Sequence, residues 1–134
     1  MKDRLCRLLI GAPLLVGAAL AHADCDAKPG VSRVEGRDVV LAFKTRPVKI
    51  KVGELFGMDV SVCAKQRTVK GLAVDASMPE HKHGMNYKPT VTKNAVDGFS
   101  ANGMLFHMPG RWQFAFDVTT STGSERLLHT VSID

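Results

Sequence analysis

Two short segments of the chain concentrate the side chains that bind metal ions. Segment 78–87 holds two histidines and two methionines, and segment 106–110 adds one of each. Imidazole nitrogen binds copper and zinc well, whereas thioether sulfur is soft and favours Cu(I) over zinc. The mixed set therefore predicts a copper site, for Cu(I) or Cu(II). The candidate ligands are His81, His83, Met85, His107, Met78 and Met108.

The spacing of these residues allows a shared site. His81 and His83 are one residue apart, so in a loop both rings can reach one ion. If the two segments form loops at the same end of a β-sandwich, they can together supply three or four ligands. Neighbouring strand residues point to opposite faces, so His107 and Met108 can both bind only if their strand has ended before them.

Structural interpretations of the same residues stay open. Met78 and Met108 can each fill an irregular gap at the end of a sandwich, since methionine is flexible and apolar. His81 and His83 can also make a pH-responsive loop, because two neighbouring imidazoles repel each other when both are protonated. The clustering of nitrogen and sulfur donors in two segments nevertheless favours the metal site.

Other chemistry is poorly represented. The chain has no serine elbow, no glycine-rich phosphate loop and no paired zinc-type cysteine motif. Glu80 stands beside the histidines and suits a base, but their spacing is not the helical pattern of zinc proteases. We therefore expect no enzymatic activity.

The N-terminus predicts export from the cytoplasm. Three basic residues precede an uncharged apolar stretch of 13 residues, 8–20, and Ala21-His22-Ala23 follows. This is the pattern of a cleavable signal peptide covering residues 1–23. A membrane anchor is the alternative, but a spanning helix needs roughly 20 apolar residues. A lipoprotein is disfavoured because Asp24 rather than a small residue precedes Cys25. The sequence predicts a periplasmic or secreted protein without permanent membrane insertion.

Cleavage would leave 111 residues, enough for one domain. It removes three basic residues and one acidic residue, so the formal charge falls from +5 to +3. The basic residues are scattered, which argues against nucleic acid as a partner. Cys25 and Cys63 remain, and in an oxidising compartment a disulfide is the default. Soft metal ligation by the two thiols is the alternative.

Alternation of apolar and polar residues, interrupted by turn residues, predicts strands throughout the remaining chain. Seven or eight short strands at this spacing indicate an immunoglobulin-like antiparallel β-sandwich, with a small closed barrel as the alternative. Trp112 is expected in its core.

We divide the chain into the signal 1–23, an extension 24–35 and one domain 36–134. The predicted strands are 39–43, 48–52 (at an edge or as a second strand), 56–62, 69–76, 91–96, 99–106, 112–118 and 127–133, with a loop over 77–89.

The two segments also carry a family resemblance. The runs DASMPEHKHGMNY (75–87) and GMLFHMPGRW (103–112) resemble the YtkA-like domain family, in which an MP-x-H-x-H-G-M loop precedes MPG-x-W. VGELF (52–56) fits the same pattern, and the similarity covers roughly 47–118. The resemblance implies an exported immunoglobulin-like sandwich associated with copper handling or membrane-protein assembly, and members of this type do not look like enzymes. Cys25 and Cys63 lie outside the shared motif.

Two functions of different kinds follow. The first is a periplasmic copper carrier, buffer or metallochaperone that passes the ion to a copper-receiving or membrane-associated protein. The second is an interaction module without metal that assists a membrane-protein or transport complex.

Overall fold

The computed structural model describes residues 25–94 and 97–134. These residues form nine β-strands and no helix, and they contain no apolar helix of membrane-spanning length. The predicted all-β class is therefore confirmed. The signal peptide predicted for 1–23 lies outside the described residues. The strands are β1 (Ser32–Glu35), β2 (Val39–Arg46), β3 (Leu55–Ala64), β4 (Val69–Met78), β5 (His83–Gly84), β6 (Thr90–Lys93), β7 (Gly98–Leu105), β8 (Gly110–Thr120) and β9 (Gly123–Ile133).

The strands pair into two antiparallel sheets with the orders β1-β2-β3-β7-β6 and β5-β4-β8-β9. If β2 to β9 are lettered A, B, C, C′, D, E, F and G, these orders match the A-B-E-D and C′-C-F-G sheets of an immunoglobulin-like sandwich. The predicted sandwich is confirmed, and the barrel alternative is wrong because both sheets keep free edges. Nine strands replace the expected seven or eight because β1 and β5 are too short to show alternation.

The core lies between the two sheets and is produced by the alternation along each strand. Trp112, Phe114, Phe116 and Val118 on β8 are all 0% exposed, so the predicted core position of Trp112 is confirmed. Phe43 of β2 packs on two of them, with ring centroids 5.8 Å from Phe114 and 5.1 Å from Phe116. Complete burial of a side chain of this size contributes about 1.5–3 kcal/mol relative to exposure.

Residues 48–52 form the loop between β2 and β3, so the strand predicted there is wrong. Pro47 has no N–H to donate to a strand ladder, and the chain leaves the sheet after Arg46. Ile50 is 9% exposed whereas Val48 is 63% exposed. The apolar alternation therefore reflects a loop that inserts one side chain into the end of the sandwich.

The segment before β2 is attached to the first sheet at two places. β1 pairs with β2, with Ser32 opposite Phe43, so the sheet begins inside segment 24–35. Cys25 and Cys63 form the predicted disulfide, with Sγ atoms 1.99 Å apart and Cα atoms 6.2 Å apart. The two sulfurs are therefore bonded to each other rather than placed as metal ligands.

Candidate metal centre

The two histidine-bearing segments meet at one end of the sandwich. β4 and β7 run toward this end, where 79–82 connects β4 to β5 and 106–109 connects β7 to β8. Loop 47–54 reaches the same end, because the Gly53 N–H donates to the Phe106 carbonyl oxygen at 2.8 Å. We call this the histidine end, formed by connections 47–54, 79–82 and 106–109.

A tight turn brings His83 back beside β4. The His81 N–H donates to the Met78 carbonyl at 3.1 Å, with Pro79 at the second position, where its fixed φ suits a turn. Lys82 takes a positive φ of 56°, and His83 then lies opposite Met78 in the β4–β5 ladder. The predicted loop 77–89 is thus corrected, since β4 continues to Met78 and two residues pair back onto it.

The three predicted histidines lie side by side. The His83 ring stands between the other two, with ring centroids 5.8 Å from His81 and 5.0 Å from His107. β7 ends at Leu105, so His107 belongs to the connecting loop and not to the strand. We name His81, His83 and His107 the histidine cluster. His81 and His107 are exposed and His83 is half-buried.

Trp112 contacts two of the three rings of the histidine cluster. Its ring centroid lies 5.9 Å from His83 and 5.4 Å from His107, with both imidazoles nearly perpendicular to the indole. Phe106 stacks on the indole at 4.3 Å, and the Trp112 Nε1–H donates to the Met108 carbonyl at 3.0 Å. Stacking and a hydrogen bond hold the completely buried indole in place, so His83 and His107 pack against a fixed ring.

The cluster provides nitrogen donors but does not hold them around one point. Among residues 25–94 and 97–134, no three His, Cys, Asp or Glu side chains are arranged to hold a metal ion. A metal–nitrogen bond of about 2.0 Å puts two imidazole centroids about 4.5–5.5 Å apart at angles of 90–120°. The 5.0 Å between His83 and His107 lies within that range, whereas the 5.8 Å between His81 and His83 lies above it.

One contact bears on the nitrogens of His83. Its Nδ1 lies 3.3 Å from the Gly84 carbonyl oxygen. In the tautomer that carries the ring proton on Nδ1, this nitrogen donates to the carbonyl and the lone pair on Nε2 is available to a metal ion.

The candidate methionines have a different environment from the histidines. Met78 is 1% exposed, and a Cβ added to Gly110 would lie 2.7 Å from its Cε. Met85 and Met108 are half-buried and pack against the hydrophobic core. The structure brings the three histidines together, whereas the three thioethers pack inside or against the sandwich end.

Two further features were not apparent from the sequence as parts of a site. Arg111 at the start of β8 forms an ion pair with Glu80, which joins the 79–82 turn to β8. Trp112 was assigned only to the core. The sequence shows Arg111 and Trp112 shortly after Met108, but it does not show which side chains they contact. Those contacts depend on the pairing of β4 with β8.

The fourth described histidine is separate from the cluster. His129 lies in the middle of β9, with its ring centroid 5.1 Å from that of Phe43. Burial lowers its pKa because the charged imidazolium loses hydration. His129 is therefore a suitable control for experiments on the cluster.

Comparisons with known proteins support the fold. The chain matches no family model and no curated protein. Its structure is similar to the crystal structure of a DUF4426 family protein from Pseudomonas aeruginosa, with a TM-score of 0.55 and 8% sequence identity. The similarity covers 78% of this chain and 95% of that chain. At this identity the likeness concerns the architecture alone.

Proposed function

We propose that the protein binds copper outside the cytoplasm and serves as a carrier, buffer or metallochaperone. The observation that carries the proposal is the proximity of His81, His83 and His107, from two separate segments, with His83 and His107 in contact with the buried Trp112. Imidazole is a strong ligand for copper, and among divalent first-row metals copper forms the most stable complexes. The proposal includes no catalytic step.

The exposure of the cluster supports a role in exchange rather than in structure. His81 and His107 are open to solvent at the end of the sandwich, whereas the hydrophobic core lies between the two sheets. A closed tetrahedral site would hold its ion, whereas an incomplete site at the surface leaves a position for an incoming ligand. Such a site can both accept copper and release it.

A protein partner is part of the proposal. Val48, Leu55 and Tyr87 are 63%, 66% and 56% exposed. Val48 lies in loop 47–54, Leu55 directly follows it, and Tyr87 lies in the connection after β5. Exposed apolar side chains around a metal site suit contact with a copper-receiving or membrane-associated protein. The predicted export signal and the Cys25–Cys63 disulfide support a periplasmic or secreted location. The YtkA-like resemblance implies copper handling or membrane-protein assembly and is therefore compatible with this function and with the interaction module.

The test is a titration of the exported chain with copper in the presence of a competing chelator. We expect about one equivalent to bind, as one cluster of three imidazoles predicts. The double substitution His81→Ala with His83→Ala removes two of the three donors and should abolish this binding. His129→Ala, outside the cluster, should leave it unchanged.

An interaction module without metal is the competing function. Two observations favour it. Among the described residues no three donors are arranged to hold a metal ion, and three apolar side chains are exposed: Val48, Leu55 and Tyr87. If the chain binds no copper, or binds it equally well after both histidines are replaced, the copper proposal is wrong and this function is preferred.

A further inference from the structure

We propose that β9 is a docking edge for a second copy of this chain, and that two copies pair their β9 strands antiparallel about a twofold axis at Thr130. This inference concerns an interface and does not depend on the proposed copper function. It starts from a difference among the four edge strands of the two sheets, which are β1, β6, β5 and β9. Three of these edges are protected against pairing with another chain, and β9 is open.

The three protected edges are short, and two of them carry charges or follow a proline. β1 has four residues, of which Arg33 and Glu35 are charged, and β5 has only two residues. β6 also has four residues, ends in Lys93 and directly follows Lys88 and Pro89. Short strands, charged side chains and prolines are common means by which native sheets prevent edge-to-edge association.

β9 lacks these features over most of its length. It spans 11 residues, and its last seven, LLHTVSI (127–133), contain no charged residue, proline or glycine. Leu128 on its outer face is 50% exposed. An uncharged segment of this length, rich in β-branched and aliphatic residues, associates readily when it lies on an open edge. We therefore expect this edge to be covered by a partner strand.

The β8–β9 hairpin determines which backbone groups of β9 are available. A two-residue loop, 121–122, joins the opposed residues Thr120 and Gly123, and such a hairpin places a hydrogen-bonded pair directly beside the loop. Because hydrogen-bonded pairs alternate along an antiparallel ladder, the odd-numbered residues of β9 bond to β8. The even-numbered residues turn their N–H and C=O groups to the open edge: Ser124, Arg126, Leu128, Thr130 and Ser132. Within the part of the chain that the structure describes, these backbone groups make no hydrogen bond.

Open space lies beside the second half of β9. The turn between β1 and β2 covers its first residues, since the N–H groups of Arg37 and Asp38 donate to the Glu125 carboxylate. Farther along, a groove of about 410 Å³ lies between residues 30–32 and residues 131–134. The half of β9 that would pair with a second copy is therefore accessible.

The sequence of β9 is complementary to itself in the antiparallel direction. With the axis at Thr130, Arg126 lies opposite Asp134 of the second copy, and Leu128 lies opposite Ser132. Opposite charges then meet at both ends of the pairing, and such cross-strand pairs stabilise a sheet. Arg126 already pairs with Asp117 at 2.6 Å, so the second copy would give it another carboxylate. An axis one residue earlier or later loses this charge pairing, which selects Thr130.

The experiment measures the mass of the exported chain by sedimentation equilibrium over a series of concentrations. We expect a monomer–dimer equilibrium that reaches the mass of two chains. Thr130→Lys puts two like charges opposite each other on the axis and should raise the dimer dissociation constant by more than about tenfold. Thr92→Lys changes another exposed threonine, on the protected β6 edge, and should leave the dissociation constant unchanged.

A cross-linking pair tests the position of the axis. Opposed residues in a hydrogen-bonded pair have Cα atoms about 5.5 Å apart, which is within reach of a disulfide. Thr130→Cys should therefore give a covalent dimer with oxidised glutathione on nonreducing electrophoresis. The two copies of residue 128 would lie about 13 Å apart, so Leu128→Cys should give none.

The opposite outcomes are equally clear. A chain that stays monomeric up to about 1 mM would overturn the proposal, since its dissociation constant would then exceed the millimolar range. A dimer that Thr130→Lys leaves intact, or that Thr92→Lys weakens as much, would show that the interface is not β9. Cross-linking of Leu128→Cys in preference to Thr130→Cys would contradict the axis.

Discussion

The two ends of the sandwich differ in the side chains that their loops present to solvent. At the end opposite the histidines the connections are short and closed by polar contacts: the Ser121 N–H donates to the Thr68 carbonyl at 2.9 Å, and Arg67 pairs with Asp38 at 3.3 Å. At the histidine end, connections 79–82 and 106–109 present the exposed imidazoles of His81 and His107, and His107 contacts the buried indole of Trp112. One end therefore closes the fold, and the other leaves nitrogen donors free to bind a ligand.

The disulfide strengthens this contrast. Cys63 lies near the end of β3, so the cross-link to Cys25 belongs to the closed end, far from the histidine cluster. If the two ends have separate roles, changes at one end should affect stability alone, and changes at the other should also affect copper binding.

The largest effect is expected from Trp112→Ala. Loss of this completely buried side chain should lower the free energy of unfolding by about 3–5 kcal/mol. It should also weaken copper binding, because His83 and His107 lose the indole ring that they contact. Chemical denaturation and copper titration measure the two effects. Phe116→Ala, equally buried on β8 but away from the loops, is the matched control and should lower stability alone. Equal copper affinities in the two variants would contradict a specific role for the indole.

Removal of the disulfide should have the next largest effect. The double substitution Cys25→Ala with Cys63→Ala removes a cross-link between residues 38 positions apart. Because the unfolded chain then gains conformational freedom, the free energy of unfolding should fall by about 2–4 kcal/mol. Copper affinity should stay unchanged, because the cross-link lies at the closed end. Urea denaturation before and after reduction of the unmodified protein provides an independent check. A loss of copper affinity in a folded variant would show that the two ends are coupled.

The smallest effect on stability is expected from Arg111→Ala. Its ion pair with Glu80 is exposed, and exposed pairs contribute about 0–1 kcal/mol to folding. The pair joins the 79–82 turn to β8, so its loss should still reduce copper affinity by letting His81 move. Arg126→Ala, which breaks the exposed pair with Asp117 between β8 and β9, is the control and should leave copper binding unchanged. If the two variants give identical copper titration curves, the Arg111–Glu80 ion pair does not position His81 for copper binding.

Much of the fold could be predicted from alternation. Strands such as β3 and β8 bury every second residue, and their pattern is visible in the sequence because one face meets the core. β1 was missed because four residues show little alternation. Residues 48–52 were misassigned because Ile50 points into the sandwich from a loop. Burial alone does not distinguish a strand from a loop that contributes one side chain to the core.

The candidate site was predictable to a lesser degree. Histidines on two polar loops could be recognised as potential donors, because few packing roles require an exposed imidazole. Met78 and Met108 could not be assigned, since a thioether serves equally well as a soft ligand and as an apolar filler. Only the position of Met78 against Gly110 distinguishes the two roles, and that contact joins residues 32 positions apart.

The register of β8 and β9 has a practical consequence for handling the protein. Ile133 lies opposite Gly110, so a polyhistidine purification tag fused after Asp134 would start beside loop 106–109. Its imidazoles would compete for the same ion and increase the apparent stoichiometry. Residues added before Cys25 would instead emerge at the disulfide end, which makes that side the appropriate place for immobilisation.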